Sequence, residues 1–171
     1  MLEWLGRFIR ERKREMTRSY LSGGEQTTIN STITELFPAL AFNTSAKFKS
    51  SSELETYIRN LNLSGVRASK TFVNSGNVDA ATKAIDKLDL IRPSIKDTKL
   101  KNAIGILNYL YEYNKKRKIE KVIWGYREKP RGVPNNHAGD IFIFHADKKV
   151  KPNIVGISLK AGTKSSKEPK L

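Results

Sequence analysis

The sequence has no cysteine and only two histidines, His137 and His145, in 171 residues. Without cysteine there is no disulfide, no thiolate metal site and no cysteine nucleophile, and two histidines leave little for a histidine-rich zinc centre. Serine-histidine triads and zinc enzymes are disfavoured on the same ground. Long apolar runs are also missing, since nothing approaches the roughly 18 consecutive apolar residues of a membrane-spanning helix. Residues 1–16 lack the apolar centre and small-residue cleavage site of a signal peptide, so a soluble, intracellular, cytoplasmic protein is expected. Acid is scarce as well. Asp and Glu number 17 against 32 Lys and Arg, a formal charge of +15.

That charge creates a long-range field that attracts polyanions, nucleic acid foremost among them, with a membrane surface or a merely solvated exterior as the alternatives. It is unevenly spread. Lys115, Lys116, Arg117 and Lys118 form one run, and from Lys148 to Leu171 there are seven lysines and a single acid, Glu168. These cations are expected to lie beside any site near the C-terminal strands.

One domain spanning residues 1–171 fits this length. Residues 1–20 read as a basic amphipathic helix, with Leu2, Leu5, Phe8 and Ile9 interleaved with arginines. Residues 21–118 read as a helical part. In it Ile29, Ile33, Leu36, Phe37 and Leu40 recur at helical spacing until Pro38 and Asn43 weaken the pattern, and Glu35 lies at the border of that stripe. Ser52 is placed to cap a third helix at Glu55, residues 74–77 (NSGN) read as a turn, and two further helices are predicted over 79–90 and 98–115. Residues 119–161 change period. The segments 121–128, 140–146 and 153–161 are rich in β-branched and aromatic residues and predict three strands in a meander, with Trp124 and Tyr126 as core residues. Residues 162–171 are a basic tail. Helices followed by strands indicate an α+β fold.

A hairpin of the last two strands, turning near residues 149–150, pairs residues whose numbers sum to about 299. Asp140 then faces a residue between Ser158 and Lys160, and alternation puts Asp140, Ser158 and Lys160 on one face with Val155, Ile157 and Leu159 on the other. A carboxylate and an ammonium are thus expected to converge at one sheet edge.

An Asp at the head of one strand, with x-x-Lys about twenty residues on at the end of the next, resembles the PD-(D/E)XK nucleases, the restriction endonuclease-like superfamily. The residues that carry the resemblance are Gly139-Asp140 and Ser158-Leu159-Lys160, over three strands and one helix. The resemblance implies a restriction endonuclease-like fold, helices packed on a small mixed sheet, and metal-dependent hydrolysis of phosphodiesters, in DNA. It assigns Asp140 as a ligand of Mg²⁺ (or Mn²⁺), the Leu159 carbonyl as a further ligand, Lys160 as the lysine that orients the water, and Glu35 as the helix acid. The chain departs from the pattern at Gly139, where the family has proline, and at Ser158, where it has an acid, making this an S-x-K variant. Only eleven residues follow Lys160 where the family core continues with a helix and a strand, so an incomplete core cut from a longer protein, with further domains, is expected.

Arg127, Lys129 and Arg131 around the loop before Asp140, with Lys148, Lys149, Lys151 and Lys164, are candidate nucleic-acid contacts. His137 is either a metal or phosphate ligand or a plain loop residue, and His145 has the parity that points away from Asp140. Two readings stay open: a Mg²⁺-dependent endonuclease, and a non-catalytic nucleic-acid-binding or assembly module in which Ser158 marks a decayed site. Apart from either, Asp140 can simply cap the loop before a strand and Lys160 can guard a strand edge.

Overall fold

The computed structural model describes residues 3–7 and 19–160. Residues 3–7 are helical. Residues 1–2 and 8–18 of the predicted N-terminal helix, and the basic tail with Lys164, lie outside the described residues, while residues 19–20, predicted as the end of that helix, are not helical.

Helix α1 (Gly23–Asn43) runs straight through Pro38. Ile33, Leu36, Phe37 and Leu40 are completely buried in it, and that apolar stripe outweighs the single backbone bond a proline forfeits. Helix α2 (Ser51–Asn60) is capped two residues earlier than expected. Ser50, not Ser52, accepts the amide of Glu53 at 3.2 Å, while Glu53 reaches back to the amide of Lys49 at 2.9 Å. A single turn, α3 (Val66–Ser69), follows. The predicted turn at 74–77 is instead the start of α4 (Ser75–Asp86). The Asn74 side chain accepts the Asn77 amide at 3.0 Å and so caps the helix, and the Asn77 side chain donates to the Tyr126 carbonyl at 2.8 Å. After a 3₁₀ turn (Leu88–Leu90), helix α5 (Pro93–Lys116) starts on its proline, where a missing N–H costs nothing, and packs along α1.

Three strands close the chain: β1 (Ile119–Trp124), β2 (Ile141–His145) and β3 (Ile154–Ile157). Each is shorter than the sequence pattern suggested. The fold is therefore α+β, mostly helical, and its sheet is antiparallel throughout in the order β1-β2-β3, not mixed. Trp124 pairs with Ile141 and Ile141 with Ile157, so paired β2 and β3 residues sum to 298. One face, carrying Val122, Trp124, Ile141, Ile143 and Ile157, joins the core with α1.

Both sides of this small sheet are finished by specific side chains. Along the outer edge of β1, Asn43 behaves like a strand residue, accepting from the Val122 amide (2.9 Å) and donating to its carbonyl (2.7 Å), while the Trp124 amide bonds the Thr71 carbonyl at 2.7 Å. On the face away from the helices, Phe142 is completely buried under the loop of residues 125–140. The edge of the His137 ring packs on it with 5.3 Å between centroids. Gly125, Gly139 and Gly156 make this cover possible, since a Cβ on any of them would crowd the Phe142 ring to 3.0 Å or closer.

Candidate metal and phosphate site

The site forms where β2 begins and β3 ends, in the sheet that α1 packs against through β1 and β2. Asp140 is half-buried. Its amide donates to the Ile157 carbonyl at 2.8 Å, its carbonyl accepts from Gly125 at 2.9 Å, and its carboxylate accepts the Leu159 amide at 2.6 Å. Ser158 directly follows Ile157, whose carbonyl the Asp140 amide bonds at the end of the β2–β3 register. The Ser158 hydroxyl is buried with no hydrogen-bond partner among the described residues, and a buried hydroxyl in that state has bonding capacity that a bound group can satisfy.

Glu35 reaches this corner from α1. Its carboxylate accepts the indole N–H of the fully buried Trp124 at 3.2 Å. Burial first, and the charge of Asp140 second, push the Glu35 carboxyl from the ordinary 4.5 up to about 7, against the Trp124 hydrogen bond and the charge of Lys129, which pull it down. Two carboxylates within electrostatic reach of one another thus share a partly desolvated corner.

Lys129, expected as a surface contact to phosphate, is turned inward. Its ammonium donates to the carbonyls of Gly125 (3.2 Å) and Gly139 (2.7 Å), closing both ends of the 125–140 loop, and lies over the Phe142 ring at 5.5 Å. It is the cation that Glu35 feels. Lys160, by contrast, is exposed beyond the end of β3 and forms no ion pair with Asp140 among the described residues. What reaches Asp140 from Leu159 is its amide, not its carbonyl.

His137 is exposed, accepts the Gly139 amide on Nδ1 at 2.9 Å and packs on Phe142, which makes it part of the loop's own structure. His145, at the opposite end of β2 from Asp140, is completely buried, bonded to the Tyr113 hydroxyl (2.6 Å) and the Pro152 carbonyl (3.0 Å). Tyr126 stacks on Trp124 at 4.7 Å, and Arg127, in a left-handed backbone conformation (φ 59°), lies over Tyr126 at 5.0 Å. Arg127 and Arg131 are exposed in the 125–140 loop. Lys148, Lys149 and Lys151 are exposed too, but they sit at the other end of the sheet, beyond the end of β2 that Asp140 begins. The expectation that they flank the carboxylates is thereby corrected.

The oxygens present suit a hard divalent cation. Mg²⁺ commonly takes one or two carboxylates and completes its shell with water and substrate phosphate, and here two carboxylates lie within electrostatic reach of one another. Among the described residues no group of three or more His, Cys, Asp or Glu forms a candidate metal cluster. Trp124 and Lys129 as partners of Glu35 were not foreseen from sequence, because neither neighbours Glu35 along the chain.

No family model, curated protein or solved structure matches the chain. Among the described residues no helix is long and apolar enough to cross a membrane.

Proposed function

We propose that this chain is a Mg²⁺-dependent nuclease that hydrolyses phosphodiester bonds in DNA. The observation that carries the reading is that the half-buried Asp140, tied to the Leu159 amide where β2 begins, acts electrostatically on the Glu35 carboxyl held by the buried Trp124. Glu35 and Asp140 are the residues to hold Mg²⁺, with Mn²⁺ as a substitute. When bound, the ion neutralises phosphoryl charge and makes its water a stronger nucleophile. Trp124 fixes one Glu35 oxygen, and the Leu159 amide fixes one Asp140 oxygen. Lys160, long and exposed, can swing over the corner to orient the attacking water. Arg127 and Arg131 are placed to contact the flanking phosphates.

A second reading, a restriction endonuclease-like module that binds nucleic acid without cutting it, is favoured by one specific feature. One oxygen of Asp140 is already committed to the Leu159 amide, and Lys160 makes no ion pair with the aspartate. Incubating the chain with plasmid and with single-stranded DNA, in Mg²⁺, Mn²⁺ or EDTA, separates the two. Cleavage that needs the metal supports the nuclease. Binding with no cleavage under any of these conditions selects the module.

A further inference from the structure

The end of the sheet farthest from Asp140 carries a group of cations that the carboxylate corner does not use. There the last turn of α5 (Lys115, Lys116), the Arg117-Lys118 link into β1 and the β2–β3 turn (Lys148, Lys149, Lys151) come side by side. They are held in fixed relation. The Ala146 amide bonds the Lys118 carbonyl at 2.9 Å, and buried His145 ties Tyr113 of α5 to Pro152 of the turn.

The acids at this end are all engaged. Glu112 pairs with Lys115 at 2.7 Å, Glu120 with Lys148 at 2.6 Å, and Asp147 accepts the Lys149 amide at 2.9 Å to close the turn. Lysines from other elements face the same end. Glu112 is held below its ordinary range by its Lys115 hydrogen bond, aided by the charges of Lys115, Lys116 and Lys47, and Glu120 by Lys148, aided by Lys121 and Lys70. Arg117, Lys118, Lys149 and Lys151 are exposed and form no ion pair among the described residues. Two lysines in the last turn of a helix would be accounted for by its dipole alone. A cluster drawn from a helix end, a strand start and a turn goes beyond that.

We propose that this basic end is a phosphate-binding surface, separate from the carboxylate corner, that anchors the backbone of a nucleic-acid duplex. The proposal rests on the nucleic-acid partner of the reading above but not on cleavage. Its occupant is a duplex and not a lipid surface, because membrane-surface segments set large apolar side chains among their cations. The exposed large apolar residues among those described are Trp4, Leu5 and Val66, none of them in the C-terminal turn of α5 or in the β2–β3 turn. From Asp140 to Ala146 the chain advances roughly 20 Å at about 3.3 Å per residue. That corresponds to about six base pairs of duplex. A duplex held here extends past the carboxylates without its grip depending on them.

The test is fluorescence anisotropy with a 20-base-pair duplex in EDTA, where no cleavage can occur. The fourfold variant Arg117→Gln, Lys118→Gln, Lys149→Gln, Lys151→Gln is compared with a control that loses the same charge elsewhere: Lys49→Gln, Arg67→Gln, Lys83→Gln, Lys101→Gln. The first variant is expected to bind on the order of tenfold or more weaker, with the salt slope reduced by about 0.9 for each phosphate no longer neutralised, and the control to bind close to wild type. The pair Lys149→Gln, Lys151→Gln, confined to the turn, gives a smaller loss in the same direction, and thermal melts confirm that each variant is folded. Equal losses in the two fourfold variants overturn the proposal, because the attraction is then diffuse. Binding of the wild type to phosphatidylserine vesicles but not to the duplex overturns it in favour of a lipid surface. Absence of cleavage in Mg²⁺ bears only on the nuclease reading.

Discussion

The carboxylate of Asp140 accepts the backbone amide of Leu159 at 2.6 Å, so one side chain ties the head of β2 to the chain leaving β3. Asp140 is therefore a structural tie as well as a candidate ligand, and two substitutions separate the roles. Asn keeps an oxygen for the Leu159 amide and removes the charge, so Asp140→Asn is expected to melt within a few degrees of wild type while losing metal-dependent cleavage. Ala leaves the amide without its partner, and Asp140→Ala should lose a further 1–3 kcal/mol or so. Metal-dependent cleavage by Asp140→Asn at the wild-type rate would sink the ligand assignment.

Glu35 makes the fold sensitive to pH. Its carboxyl is raised to about 7 in the folded chain, from 4.5. The stability it contributes is fully present below pH 4.5 and is lost as pH rises toward 7, because the unfolded chain ionises freely while the folded one resists. A shift of this size is worth on the order of 3 kcal/mol. Glu35→Gln retains an oxygen for the Trp124 indole and cannot ionise. In EDTA the variant should therefore be more stable than wild type at pH 8 and no different at pH 4, by urea denaturation. Parallel pH profiles for the two proteins would show that Glu35 titrates as an ordinary surface acid.

The helix-to-strand order and the hairpin register were legible because each rests on a repeat: 3.6-residue spacing through Ile29, Ile33, Leu36 and Leu40, and two-residue alternation through Ile141, Ile143, Val155 and Ile157. The register expected from the turn fell within one residue of that observed. Residues 74–77 were misjudged because Asn, Ser and Gly serve turns and helix caps alike, and only the Asn74–Asn77 hydrogen bond distinguishes the two. Placement of Lys148 beside Asp140 was an error the sequence could have prevented, since one stands at the start of β2 and the other beyond its end. The inward turn of Lys129 had no such signal, because an irregular loop has no period from which direction can be read.

Three glycines brought to one aromatic ring also escaped a linear reading. A Cβ on Gly156 would lie 2.9 Å from Phe142 Cε1 and collide with His137. Gly156→Ala is expected to cost about 1–3 kcal/mol and to loosen the 125–140 loop, seen as faster hydrogen exchange at Gly139. Gly105, inside α5 with nothing within 4 Å of its would-be Cβ, is the contrasting case. There Gly105→Ala should stabilise by roughly 0.5–1 kcal/mol. If the two alanines have the same effect on the thermal midpoint, the crowding around Phe142 is not what fixes the loop.

Lys129 links that loop to the chemistry of the corner, since one ammonium serves both the Gly125 and Gly139 carbonyls and the charge balance of Glu35. Lys129→Met preserves the apolar stem over Phe142 but removes the donors and the charge. Without the cation the ionised form of Glu35 loses support, so its midpoint moves above 7, and the stability lost with rising pH goes on falling past neutrality where wild type has levelled off. Carboxyl ¹³C titration of Glu35 reads the first effect directly, and hydrogen exchange at residues 125–140 reads the second, the loss of the loop's closure. A Glu35 midpoint unchanged in Lys129→Met, with the loop equally protected, would mean that the ammonium is a bystander at the surface. A raised midpoint with an intact loop would leave its electrostatic role standing and assign the loop's closure to the packing of His137 on Phe142.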